Sequence, residues 1–179
     1  TAIIKTSKRL PAYIDMSTTN LGINYNFNST DYRFNPGKGN ELSITAAAGI
    51  RKVKPNNAIT KMTTDASGNE FDYAALYDSV RGKSYMLRLQ LAGAHYFKTG
   101  RQSVIKTALN SGMLYSQNIF LNEMFQIGGY KLLRGFDEES IFASSYGVVT
   151  AEYRYFIGLN SFFFGFVDGG LVNAKTYSQ

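Results

Sequence analysis

Residues 21–28 read Leu21-Gly22-Ile23-Asn24-Tyr25-Asn26-Phe27-Asn28. Four large apolar residues alternate with one Gly and three Asn, which on a pleated strand makes one greasy face and one polar face. This period of two predicts a strand over about 21–34.

The same alternation recurs along the chain and predicts five more strands, near 41–50, 84–97, 103–115, 147–156 and 161–170. In the third, Arg88 falls in mid-strand among Met86, Gln90 and Ala92. A dry core would tolerate that charge poorly, whereas a wet lumen would accept it.

The connections alternate in length. Those at Asn35-Pro36-Gly37-Lys38-Gly39-Asn40, Lys98-Thr99-Gly100-Arg101-Gln102 and Ile157-Gly158-Leu159-Asn160-Ser161 are short, while 51–83 and 116–146 far exceed ordinary loops. An up-and-down membrane barrel has this asymmetry, with short turns on one side, long loops on the other, and strands of about 9 to 11 residues.

A soluble sandwich or lipocalin-like barrel also alternates apolar and polar residues, with the apolar face inside. Tyr85, Phe97, Tyr115, Tyr155 and Phe156 near strand ends favour the membrane form, which places aromatic girdles there. The fold class expected is therefore all-β, an antiparallel up-and-down transmembrane β-barrel. A closed barrel in lipid needs about eight or more strands. The expectation is a fragment of about six, opening at Thr1 in polar sequence and completed by strands outside 1–179.

Composition agrees. Hydrophobic residues make up 44% of the chain, yet no apolar run approaches the roughly 18 residues of a membrane helix. Zero Cys removes disulfides, thiolate metal sites and cysteine nucleophiles. The net charge of +6 is scattered rather than gathered in a basic patch, so no nucleic-acid partner is expected. His95 is the only histidine and falls at alternation spacing with Leu89 and Leu91, as an interfacial ring rather than a catalytic base. Without metal-ligand spacing or a nucleotide loop, no enzyme activity, metal or cofactor is expected. The 51–83 connection, with Lys52, Lys54, Lys61, Asp65, Glu70, Asp72 and Asp78, reads as a solvated outer loop.

One segment of the 116–146 connection is more specific: Phe125-Gln126-Ile127-Gly128-Gly129-Tyr130-Lys131-Leu132-Leu133-Arg134-Gly135-Phe136. It resembles the signature loop of the BamA superfamily, the bacterial surface antigen barrels, in which a Gly-Gly pair precedes Arg-Gly-Phe or Arg-Gly-Tyr. Thr150-Ala151-Glu152-Tyr153-Arg154 is similar to the family's Glu-bearing strand. Phe164-Gly165-Phe166-Val167-Asp168-Gly169-Gly170 is similar to its Asp-Gly strand, and Asp31 through Gly39 to its periplasmic turn. An Arg-Gly-Phe tripeptide alone means little; four elements in order over about 20–172 are specific.

The resemblance implies the C-terminal half of such a barrel, with loop 126–142 folded into the lumen. Its signature residues would be Gly128, Gly129, Gly135 and Phe136, and Arg134 would be tethered to Glu152 and Asp168. A guanidinium suits that role because its planar fork engages two carboxylate oxygens at once and keeps its charge. The alternation itself sets Glu152 on the face of Thr150 and Arg154, and Asp168 on the face of Phe164 and Phe166. Removing one partner costs about 3 to 5 kcal/mol if the site is desolvated and about 0 to 1 if lumen water reaches it.

The implied location is the bacterial outer membrane. The implied function is that of an assembly factor that inserts and folds β-barrel proteins without nucleotide hydrolysis. Its partners would be outer-membrane lipid, unfolded β-barrel clients and accessory assembly proteins. The alternatives are a two-partner secretion or translocation-assembly relative, and, from another class, a passive porin or binding barrel with an open lumen.

Overall fold

In the computed structural model, which describes residues 2–177, the period-two stretches form long strands. In chain order the elements are α1 (Ala2–Ser7), β1 (Met16–Asn28), β2 (Gly39–Val53), α2 (Asn57–Thr60), β3 (Lys83–Lys98), β4 (Ser103–Ser116), β5 (Phe125–Ile127), β6 (Ile141–Ala143), β7 (Ser145–Gly158) and β8 (Ser161–Asn173). Six of them form one antiparallel up-and-down sheet in the order β1-β2-β3-β4-β7-β8, and β5 pairs only with β6. The sheet is an arch rather than a closed cylinder, with β1 and β8 at its edges. It curls enough for its first and last hairpin turns to meet, where Tyr32 Oη and Asn35 Nδ2 donate to Asn160 Oδ1 at 3.2 and 3.3 Å.

The outward face inverts the logic of a soluble protein. Register places Tyr25 beside Ile44 and then Leu91, and Ala46 beside Leu89 and then Met113. Farther round, Leu109 faces Val149 and Ala151 faces Val167. This continuous apolar surface is the exposed one, with Leu21 at 83% and Val167 at 72%. A Val or Leu left in water forgoes about 1.5 to 3 kcal/mol, which hydrocarbon restores. Tyr85 and Tyr115 close the band toward the long connections, and Phe27, Phe97, Tyr155 and Phe163 close it toward the short turns. A soluble sandwich would have turned this face inward.

The inward face carries the small, polar and charged residues. On β7, Val148, Thr150, Glu152 and Arg154 are buried while Val149, Tyr153 and Tyr155 are exposed. Phe156 departs from the girdle role expected for it. Its register is inward, and its ring packs 5.4 Å from Phe162.

Two further expectations need correction. The first strand spans 16–28 rather than 21–34, because the chain turns immediately after it. Asn28 Oδ1 accepts from the Thr30 N–H, and Asp31 Oδ1 accepts from the N–H groups of Gly37 and Lys38 at 2.8 and 3.1 Å. Burial alone would raise the Asp31 carboxyl, but the backbone N–H groups around it, led by those of Lys38 and Gly37 and joined by Asp31 and Tyr32, together more than offset it and hold it below its ordinary value. The strand also starts earlier, in Met16-Ser17-Thr18-Thr19-Asn20, which is too polar to alternate visibly.

The second correction is to the 51–83 connection, which is not simply solvated. Its Ile59, Tyr73, Tyr77 and Val80 are buried in a cluster with Ile14, Val53 and Phe120. Mixed surface charge had hidden an apolar set without helical or strand period.

Candidate functional site

The connection from 117 to 144 lies against the inward wall and is fixed to it at three levels. At its base, Arg51 reaches inward from β2, and its Nη1 donates to Glu123 Oε2 and to the Asn118 carbonyl, each at 2.5 Å. The Phe120 N–H donates to the same Glu123 oxygen at 3.0 Å. The two side chains are 1% and 4% exposed, so the pair is almost fully desolvated.

At mid-height, β5 and β6 form a two-stranded ladder pairing Phe125 with Ala143 and Ile127 with Ile141. Phe125, Ile127 and Ala143 pack on Met86 of β3 and Leu114 of β4. The Arg88 guanidinium sits 4.2 Å from the Phe125 ring centre. The charge expected to face lumen water is instead half-covered by an aromatic face, a favourable contact for a delocalised cation.

The tip is set by backbone geometry. Gly128 and Gly129 have φ of +120° and +91°, and a Cβ on Gly128 would collide with the Asp137 carbonyl oxygen. Only glycine fits both demands. The turn is closed by the Gly129 N–H donating to Phe136 O at 3.2 Å and the Leu133 N–H donating to Gly129 O at 3.1 Å. Gly135 is also left-handed, with φ of +96°. Phe136 contributes its carbonyl, while its ring is mostly exposed.

This turn delivers Arg134 to the β7–β8 wall. Its Nε donates to Asp168 Oδ2 at 2.8 Å, its Nη2 to Asp168 Oδ1 at 2.9 Å and its Nη1 to Glu152 Oε2 at 2.7 Å. The Arg134 backbone N–H adds a fourth bond, to Asp168 Oδ2 at 3.1 Å. Thr150 Oγ1 donates to Asp168 Oδ1, and Arg154 Nε donates to Glu152 Oε1. The Arg134 guanidinium carbon stands 3.6 Å from the Phe166 ring centre. Side-chain exposures of 17% for Arg134, 6% for Glu152 and 3% for Asp168 place the fork between the desolvated and solvated extremes, nearer the former.

Of the residues singled out by sequence, the structure thus brings Arg134, Glu152 and Asp168 together, with the three glycines shaping the approach. His95 lies apart on the outward side, bonded to Asn40 Oδ1 and beside the Phe97 ring. Among the described residues no group of His, Asp and Glu is arranged to hold a metal. Sequence reasoning missed Arg51 and Glu123, and it placed Arg154 on the face of Glu152 without pairing the two. Arg51 and Arg154 were readable from parity, since each shares the inward register of its strand, but Glu123 lies in irregular chain with no period to place it.

Residues 7–179 match the family described as the Omp85 superfamily domain. The chain belongs to the Omp85 superfamily. Proteins of the Omp85 superfamily are outer-membrane β-barrels, and membership supports a general role in outer-membrane protein insertion or translocation. The exposed apolar band and the open six-stranded arch fit a piece of such a barrel. No curated protein matches the chain.

Proposed function

We propose that this segment belongs to an assembly factor that inserts and folds β-barrel clients in the bacterial outer membrane. Loop 126–142 occupies the lumen as an internal brace, and the protein works mechanically, without an active site. The reading is supported chiefly by the Arg134 fork on Asp168 and Glu152, which commits three side chains to holding a loop across the inner wall. A passive pore or binding barrel needs that space open. Its partners are membrane lipid, unfolded β-barrel clients and accessory assembly proteins.

The test is reconstitution of the full-length protein in liposomes with a urea-unfolded β-barrel client, following client folding by its heat-modifiable mobility on gels. Client folding faster than in empty liposomes is expected. Steady ion conductance with no acceleration of client folding would refute the proposal in favour of a pore. Transfer of a soluble polypeptide across the membrane, with no client inserted, would refute it in favour of a secretion translocator.

A further inference from the structure

Two short basic runs, Arg51-Lys52-Val53-Lys54 and Arg81-Gly82-Lys83, are separated by the whole of the second connection, yet the fold sets them side by side. Lys52 of β2 and Lys83 of β3 are direct cross-strand partners on the outward face. Like charges directly opposite each other in a sheet destabilise it. Both side chains are exposed, and among the described residues no ion pair or hydrogen bond engages either ammonium group. The acids of neighbouring chain are engaged elsewhere, Asp15 by Asn56 at 3.2 Å and Asp78 by Arg81 at 3.9 Å.

Their height on the barrel wall matters. The next outward pair along the same two strands is Ile50 and Tyr85, where the apolar band ends at its tyrosine girdle. Tyrosine rings of such girdles lie at headgroup level, so the lysines stand one step farther out, among headgroups. The outward positions at the opposite end of the band carry no Lys or Arg: Asn40, His95, Ser103 and Ser161 stand there. On the outward face of the strands, then, the paired lysines stand only on the side of the long connections, while Lys38, Lys98 and Arg101 at the other end lie in the turns or at inward register.

We propose that Lys52 and Lys83 form a binding site for the phosphate of an anionic lipid headgroup in the leaflet that faces the long connections. The phosphate neutralises a cross-strand repulsion that none of the described residues relieves, while Ile50 and Tyr85 contact the adjoining acyl region. The site rests on the outward face lying in lipid.

The full-length protein, purified in detergent, is offered a bisphosphorylated glycolipid, phosphatidylglycerol or phosphatidylcholine, and retained lipid is counted by native mass spectrometry. The wild-type protein should retain either anionic lipid over phosphatidylcholine, and Lys52→Gln/Lys83→Gln should lower that preference by roughly 30-fold. Lys98→Gln, at the other end of β3, should leave it intact. Inorganic phosphate should not displace the lipid. An unchanged preference in the double variant, or displacement by inorganic phosphate, overturns the site. If the double variant does not fold, the wild-type preference is measured from low to molar salt, and persistence at molar salt overturns it equally. Bilayer insertion of the wild-type protein is scored separately by flotation. Insertion without lipid preference sinks this site alone, whereas failure to insert sinks the membrane reading with it.

Discussion

Replacing Arg134 by Ala deletes three side-chain hydrogen bonds, two to Asp168 and one to Glu152, but it orphans neither acid. Asp168 keeps the Thr150 hydroxyl and the backbone N–H of residue 134, and Glu152 keeps Arg154. The cost should therefore fall below the roughly 3 to 5 kcal/mol of a stranded buried charge. It should exceed the roughly 0 to 1 of a surface pair, because the two acids are only 3% and 6% exposed. About 2 to 3 kcal/mol is expected, which lowers the docking equilibrium of the loop tip roughly 30- to 150-fold. Hydrogen exchange reads this directly in the full-length protein in bilayers. The amides of Gly129, Leu132 and Leu133, which bond within the tip, should exchange faster by that factor while β7 amides stay unchanged. Asp168→Ala should have a similar effect, and the two together should cost little more than either, a coupling of about 2 kcal/mol. Arg134→Lys should recover only what a point charge supplies. A coupling below about 0.5 kcal/mol, or full recovery by Lys, would refute the fork as the tether.

Three further outcomes follow from the same geometry. Leu91→Lys on the outward face of β3 should cost about 2 to 4 kcal/mol of stability in bilayers, whereas its inward neighbour Ala92→Lys should cost little; equal effects in unfolding titrations would contradict the assignment of faces. Arg51→Ala leaves Glu123 desolvated and unpaired, so about 3 to 5 kcal/mol should be lost, detectable in the same titrations; Arg51→Met with Glu123→Leu should recover most of it. Lys8, 2.9 Å from Asp65, holds that carboxyl down from 3.8 to about 2, so its stabilisation is full above about pH 4 and fades as pH falls toward 2. Hydrogen exchange at Ser67 and Asn69, whose N–H groups bond Asp65, should rise over that window, and a flat profile would exclude the contact.

The sheet was legible because lipid and lumen impose opposite demands on alternate residues, which writes a period of two into every spanning strand. Where that demand lapses, so does the signal. Met16 to Asn20 pair fully with β2, yet their polar run hid the start of β1. Phe156 was misplaced by one register step because an aromatic at a strand end fits either face. Irregular chain has no period at all, so the buried set Ile59, Tyr73 and Tyr77 could not be told from loop residues. The tip of the 117–144 connection was legible through a different channel, the resemblance of Gly128-Gly129 and Arg134-Gly135-Phe136 to a family's signature loop, and the structure supplies the physical reason for the paired glycines in their φ of +120° and +91°.

Base and tip of that connection are fixed by ion pairs of opposite polarity, and the difference has energetic content. At the base the acid is on the loop and the cation on the wall, both desolvated, so separating them strands two buried charges. At the tip the cation is on the loop and the acids on the wall, where Glu152 already has Arg154 and Asp168 already has Thr150. Withdrawing Arg134 leaves each acid with a donor and takes into solvent a cation that is the more exposed member of the site. The same loop is thus anchored by a pair that is costly to open at Glu123 and by one that is cheaper at Arg134. Any local opening of 117–144 therefore begins at the tip and stops at the base.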